Sequence, residues 1–214
     1  SLGGKLTNIL YQNGAKPQSV VELPNGIDSN WIINDSAFKS ENSTQRIKFV
    51  FIGRYERRKG IEEFHEVIQK TIDILNYEVN FIGPIPEEKQ FKHHKVTYLG
   101  TIMESDKIKE ILINSDILVC PSYSEGMPTV ILEAMACGCA IIATDVGANS
   151  TTVNSDNGWL FEGDIVSNLH TAILAAMSCS SEEIILKKQQ SIQKVSENFT
   201  WEKVIYKTLK SLKI

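Results

Sequence analysis

Two glutamates, Glu125 and Glu133, frame the stretch EGMPTVILE. Carboxylates do not bind phosphate, but each accepts hydrogen bonds from hydroxyls through two oxygens. Between them stands Pro128, which suits the first turn of a helix. Helix formers follow (Leu132, Glu133, Ala134, Met135, Ala136), and Gly138 suits the stop. From Pro128 to Glu133 such a helix rises about 7–8 Å. One acid therefore sits at the helix mouth and the other deeper along it. The free N–H groups of a helix start attract anions. An anion site between two hydroxyl acceptors suits a diphosphate with a sugar at each end, which describes a nucleotide-sugar. Spacing alone leaves the plainer alternative open, with Glu125 a solvated loop residue and Glu133 an ordinary helix glutamate.

A second concentration of chemistry lies at Gly53-Arg54-Tyr55-Glu56-Arg57-Arg58-Lys59-Gly60. A basic loop on its own is usually a solvated one. At the carboxyl end of a strand in an α/β sheet, however, Arg and Lys are what a phosphate site needs.

The elements around these stretches read as alternating strands and helices. Ile47–Ile52, Tyr77–Ile82, Val96–Leu99, Ile117–Cys120 and Ala140–Ala143 are apolar runs of strand length, as expected inside a parallel sheet. Ser19–Leu23 reads as a further short strand. Asn157–Phe161 reads as a turn and strand whose Trp159 and Phe161 are core residues. Helical spacing marks residues 5–18 (with a loop at the end), Ile61–Leu75, Asp106–Asn114 capped by Ser105, and residues 165–178, 182–197 and 200–213. The last should bury Trp201, Val204, Ile205, Leu209 and Leu212. Pro24–Asp28 is a turn by its Asn-Gly pair, and residues 34–46 are a polar surface loop. The adjacent His93 and His94 should point apart, at the surface. Gly83, after the second strand, would let a ligand approach the backbone closely.

Composition sets the limits. The chain has 214 residues, 42% hydrophobic and 22% charged, with a net charge of −4. That is a globular profile with a substantial core and no basic footprint for nucleic acid. No apolar run approaches the roughly 20 residues that span a bilayer. Cys120, Cys137, Cys139 and Cys179 lack common zinc spacings and read as reduced core thiols of a reducing cytoplasm. Ser1–Lys5 read as an incidental edge of the chain.

EGMPTVILEAMACGCAII resembles the nucleotide-binding signature of glycosyltransferase family 4, the retaining GT-B transferases. The signature pairs two glutamates with an Ala-Met-Ala-x-Gly run. Gly53-Arg54 and Lys59-Gly60 are similar to its GRxxxxKG pattern, Pro24–Asp28 to its PNGxD turn, and Asn157–Leu160 to its NGxL turn. The resemblance covers nearly the whole chain and implies one doubly wound, mostly parallel α/β domain, residues 1–214, of about six strands with helices at the C-terminus. It implies that Arg54 and Lys59 clamp the phosphates, with Arg57 and Arg58 facing solvent. Glu125 would contact the donor sugar, and Glu133 the ribose. The backbone at Gly53, Gly126, Met127, Thr129 and Val130 would face the diphosphate. Gly83, Thr101 and Ile102 would neighbour the nucleoside. Many relatives carry a glutamate where this sequence has Thr151, which leaves the local sugar contacts open.

On this resemblance the chain is the donor-binding half of a retaining glycosyltransferase and inactive by itself. A preceding acceptor domain, with its catalytic-site histidine, is expected elsewhere. The implied partners are a nucleoside-diphosphate sugar and a glycan or lipid-linked acceptor, with no nucleic acid. The full enzyme would work in the cytoplasm, with peripheral contact at the inner face of the plasma membrane. No Asp-x-Asp motif is present, so no metal cofactor is expected. A GT-B epimerase, a phosphorylase fragment and a non-catalytic nucleotide-binding module remain as alternatives. The full set of site residues at the strand ends argues against the last of these.

Overall fold

The computed structural model describes residues 1–33 and 46–211. Nearly all of the expected 34–46 loop, and Leu212, lie outside the described residues. Six strands, β1 (Ile47–Ile52), β2 (Tyr77–Ile82), β3 (Val96–Tyr98), β4 (Ile117–Cys120), β5 (Ala140–Thr144) and β6 (Gly158–Phe161), form one sheet. Its order is β3-β2-β1-β4-β5-β6, and every pairing is parallel. The eight α-helices of the described residues are α1 (Lys5–Gln12), α2 (Ile61–Thr71), α3 (Ser105–Ile113), α4 (Thr129–Ala136), α5 (Asn149–Thr152), α6 (Ile165–Met177), α7 (Ser181–Asn198) and α8 (Trp201–Ser211). None of them is long and apolar enough to cross a membrane.

Alternation along the strands divides the core in two. Phe49, Phe51, Val79, Phe81, Ile117, Val119, Ala140 and Ile142 face one side, where Phe64, Ile68, Leu169 and Ile173 bring in α2 and α6. Val50, Ile82, Leu118, Ile141 and Ala143 face the other, against Leu112 of α3, Ile131, Leu132, Ala134, Met135 and Ala136 of α4, and Val195 of α7. Both faces of the sheet are covered, which is why β4 and β5 are apolar at nearly every position. Phe81 anchors the first layer, with ring centroids 5.6 Å from Phe51, 5.5 Å from Phe64 and 4.8 Å from Tyr98. Trp159 and Phe161 pack against this layer and Leu160 against the other, the alternation expected of core residues on a strand.

Several local expectations are corrected. Ser19–Leu23 is not a strand of the sheet: Pro17–Ser19 forms a short 3-10 turn, and the following backbone pairs with Ser1 instead, through Ser1 N to Val21 O (2.9 Å) and Leu23 N to Ser1 O (2.7 Å). Ser105 is the first residue of α3, not its cap; Glu104 takes that place without a side-chain bond. Pro128 precedes α4 in extended backbone (φ −70°, ψ 121°), so its ring shapes the approach to the helix and not the first turn. The His93 and His94 rings do not diverge but pack 4.3 Å apart, and His93 Nε2 lies 3.1 Å from Asp73. Along α8 only Val204 is buried, and Trp201, Ile205 and Leu209 are exposed.

Residues 1–5 pack against the rest of the domain. Leu2 packs against the second core layer. Lys5 N donates to Gly147 O at 2.9 Å, and Lys5 Nζ reaches Asp145 O and Glu162 Oε1 at 2.6 and 2.7 Å.

Candidate functional site

The strand order reverses between β1 and β4. In an open parallel sheet this switch point leaves a crevice beyond the strand carboxyl ends, where ligands bind. The two loops that enter this crevice carry the two stretches singled out above. Residues 53–60 leave β1, and residues 121–128 leave β4 and lead into α4.

The loops are stitched together. Tyr123 N donates to Arg58 O at 2.8 Å. Gly60 adopts φ +68°, and a Cβ there would overlap the carbonyl oxygen of Pro121. Only glycine meets both demands at that position. The contact delivers Lys59, the preceding residue, to Glu125: Lys59 Nζ lies 2.7 Å from Glu125 Oε1. The two side chains are 17% and 7% exposed. Ser122, itself buried, donates its hydroxyl to the same oxygen at 2.8 Å. Arg58 stands 3.9 Å from Glu125 Oε2. Behind Ser122, Thr144 Oγ1 donates to Ser122 O at 2.5 Å and ties the loop to the end of β5.

Sequence reasoning did not single out Ser122 or Gly147 as parts of this site. A serine three residues before an acid, in a turn, is the signal that points to Ser122. Gly147, at φ +58°, presses against the carbonyls of Glu125 and Gly126, where a Cβ would overlap both. No spacing between residues 126 and 147 announces that contact.

Arg54 does not join Lys59 and Glu125. Its Nε lies 2.9 Å from Glu56 Oε1, and its side chain is 67% exposed. Arg57 is exposed as expected (63%), yet it also pairs with Glu63 and donates to Tyr123 Oη at 2.9 Å.

The start of α4 has no side-chain cap. The N–H groups of Thr129 and Val130 in its first turn therefore have no intrahelical partner. Gly126 O accepts from Ala148 N at 2.8 Å. Met127 is buried, and the turn at Asn25 holds it through Asn25 Nδ2 to Met127 O at 2.7 Å. Glu133 is half-buried within α4. Burial pushes its carboxyl above the ordinary range, and a hydrogen bond from Thr129 opposes that shift.

The ends of β1, β2 and β3 form a second rim. Gly53 N donates to Ile82 O at 2.9 Å, and Gly83 N donates to Gly100 O at 2.8 Å. Gly83, at φ +138°, lies so close to Gly53 O that no Cβ fits. Its bareness thus serves strand-to-strand packing. Thr101 is exposed just beyond, and Ile102 packs against the second core layer. The structure thus brings Lys59, Glu125 and the α4 start to one crevice, with Gly53, Gly83 and Thr101 along the adjoining rim. Among the described residues no group of three or more His, Cys, Asp or Glu side chains could hold a metal ion. Thr151 turns its hydroxyl back to Ala148 O at 2.6 Å.

Comparison with known proteins agrees with this architecture. Residues 46–179 match the family described as Glycosyl transferases group 1. TuaC of Bacillus subtilis, assigned as a glycosyltransferase of teichuronic acid biosynthesis, is 39% identical over 104 residues, which make up 48% of this chain and 25% of TuaC. The fold is shared with sucrose-phosphate synthase from Thermosynechococcus elongatus (TM-score 0.78, 19% identity, 99% of this chain and 57% of that one). It is shared also with HepE from Anabaena, solved in complex with UDP (TM-score 0.77, 16% identity, 96% of this chain and 60% of that one). The chain thus spans well under two thirds of the length of these relatives.

Proposed function

The chain belongs to the group 1 glycosyl transferases, and on that premise we propose that residues 1–214 form the donor-binding half of a retaining transferase that uses a nucleoside-diphosphate sugar. The observation that carries this reading is the Lys59–Glu125 pair set beside the uncapped start of α4, at the sheet's switch point. A cation, free amides and a hydroxyl-accepting carboxylate are what a diphosphate joined to a sugar requires.

In this reading Lys59 and the amides of Thr129 and Val130 meet the diphosphate, together with the backbone at Gly53, Gly126 and Met127. Arg54 joins them by leaving Glu56, an exposed pairing worth about 0–1 kcal/mol and so readily exchanged. Glu125 accepts hydrogen bonds from the donor sugar, and Glu133 from the ribose. The base lies along the rim of Gly83, Thr101 and Ile102. As the glycosidic bond breaks, the leaving nucleoside diphosphate gains negative charge, and these fixed cations and amides stabilise it electrostatically. A glycan or lipid-linked acceptor would be presented by a further domain of the full-length protein.

A thermal-shift panel of UDP, GDP and ADP, each with and without a sugar, tests the reading. Ligand that binds only the native state raises stability by mass action, about 2.7 kcal/mol at a hundredfold excess over Kd. One base should raise the melting temperature in a concentration-dependent way. Absence of any shift across the whole panel at millimolar concentration would contradict the proposal.

A further inference from the structure

Glu63 lies outside the crevice, in the first turn of α2, yet it is buried, at 8% exposed. Acids are favoured in a first turn by the helix dipole, but that does not require burial: its neighbour Glu62 occupies the same turn and stays exposed. Carboxylates are rarely buried unless paired. Glu63 is paired through one oxygen alone. Its Oε1 accepts from Arg57 Nη1 and, at 2.8 Å, from Tyr123 Oη, whereas Oε2 is buried without a partner. Arg57 Nη2 donates to the same tyrosine hydroxyl at 2.9 Å, and its guanidinium lies 4.4 Å from the Tyr123 ring centroid.

Arg57 belongs to the β1 loop, two residues before Lys59. Tyr123 belongs to the β4 loop, two residues before Glu125. The hydrogen bonds run Arg57 to Tyr123 to Glu63, so one carboxylate oxygen holds one side chain from each loop. We propose that Glu63 is a positioning residue for donor binding: it touches no ligand but, through Arg57 and Tyr123, fixes the register in which the two loops present Lys59 and Glu125. This rests on the proposed nucleotide-sugar site. It adds a residue that acts at a distance, and it assigns Arg57 and Tyr123 to loop alignment and not to phosphate binding.

Calorimetric titration with UDP, GDP and ADP tests it, on the wild-type chain and on Glu63→Ala, Glu63→Gln, Tyr123→Phe, Lys59→Ala and the Glu63→Ala, Lys59→Ala double variant. Glu63→Ala should lower affinity for the nucleotide that binds by about tenfold, and that loss should vanish on the Lys59→Ala background, since coupled residues are not additive. Glu63→Gln keeps a carbonyl oxygen at the Oε1 position and should restore affinity to within about threefold of wild type. Tyr123→Phe should reproduce the loss and decides the matter if Glu63→Ala does not fold. Wild-type affinity in Glu63→Ala or in Tyr123→Phe would overturn the inference. So would an equal loss with and without Lys59, which would mark a general structural effect. A wild-type chain that binds none of the three nucleotides would overturn the donor-site reading itself, a result distinct from these.

Discussion

The Lys59 ammonium sits 2.7 Å from the Glu125 carboxylate, joining two loops whose residues are 66 positions apart in the sequence. The cation and the acid neutralise one another. A nucleotide-sugar offers each a new partner, phosphate for Lys59 and hydroxyls for Glu125, whereas a bare nucleotide offers one only to Lys59. On the proposed reading, the pair should favour the complete donor over its leaving group.

Glu133 should govern the nucleoside end. A hydrogen bond to a charged acceptor contributes roughly 1.5–3 kcal/mol, so Glu133→Gln should weaken bare nucleotide by about that amount in a calorimetric titration. Because burial raises the Glu133 carboxyl above its ordinary value, wild-type affinity should grow as pH rises through that raised value. The glutamine variant should lack this pH dependence.

Gly60→Ala should separate the two loops. The alanine would take a left-handed backbone and collide with Pro121 O. Left-handed strain and overpacking together cost about 2–4 kcal/mol. Denaturant unfolding should show the loss, and nucleotide affinity should fall with it, since Lys59 directly precedes the displaced residue. Gly14→Ala, at a positive φ with open space around it, should show only the backbone cost and no change in affinity.

His65 should make stability pH-dependent. Tyr98 Oη lies 2.9 Å from His65 Nε2 and accepts from Phe91 N at 2.8 Å. Burial pulls the His65 pKa down to about 4, against a small opposing effect of Glu62. The unfolded chain, at about 6.5, binds the proton more readily. Stability from this group is therefore complete above about pH 6.5 and is lost as pH falls toward 4. His65→Gln keeps an acceptor without the titration, and its melting temperature should fall less steeply than wild type across that interval.

Much of the fold was legible because buried parallel strands are written as apolar runs. β1, β2 and β4 fall where those runs lie, and the alternation of Trp159, Leu160 and Phe161 places them in opposite layers. Short-range chemistry was legible too: Gly138, read as a helix stop, stands at positive φ. What could not be read were contacts made only in three dimensions. Arg57 is solvated as its sequence context suggests, but its partners, Glu63 and Tyr123, come from other elements. Ser19–Leu23 has strand composition, but Ser1 takes its backbone bonds. Arg54 and Lys59 were equivalent as a pattern. The loop geometry separates them, turning Lys59 to Glu125 and Arg54 to Glu56.

On the proposed reading, Lys59 and Glu125 exchange their mutual pairing for the two ends of the donor. The most direct test is calorimetry of the wild-type chain, Lys59→Ala and Glu125→Gln with a matched nucleoside diphosphate and its sugar-bearing form. Lys59→Ala should weaken both ligands. Glu125→Gln releases Lys59, so it should bind bare nucleotide at least as tightly as wild type, and should bind the sugar-bearing form more weakly by roughly 1.5–3 kcal/mol. Loss of bare nucleotide binding in Glu125→Gln equal to that in Lys59→Ala, or wild-type affinity for both ligands in either variant, would contradict the account.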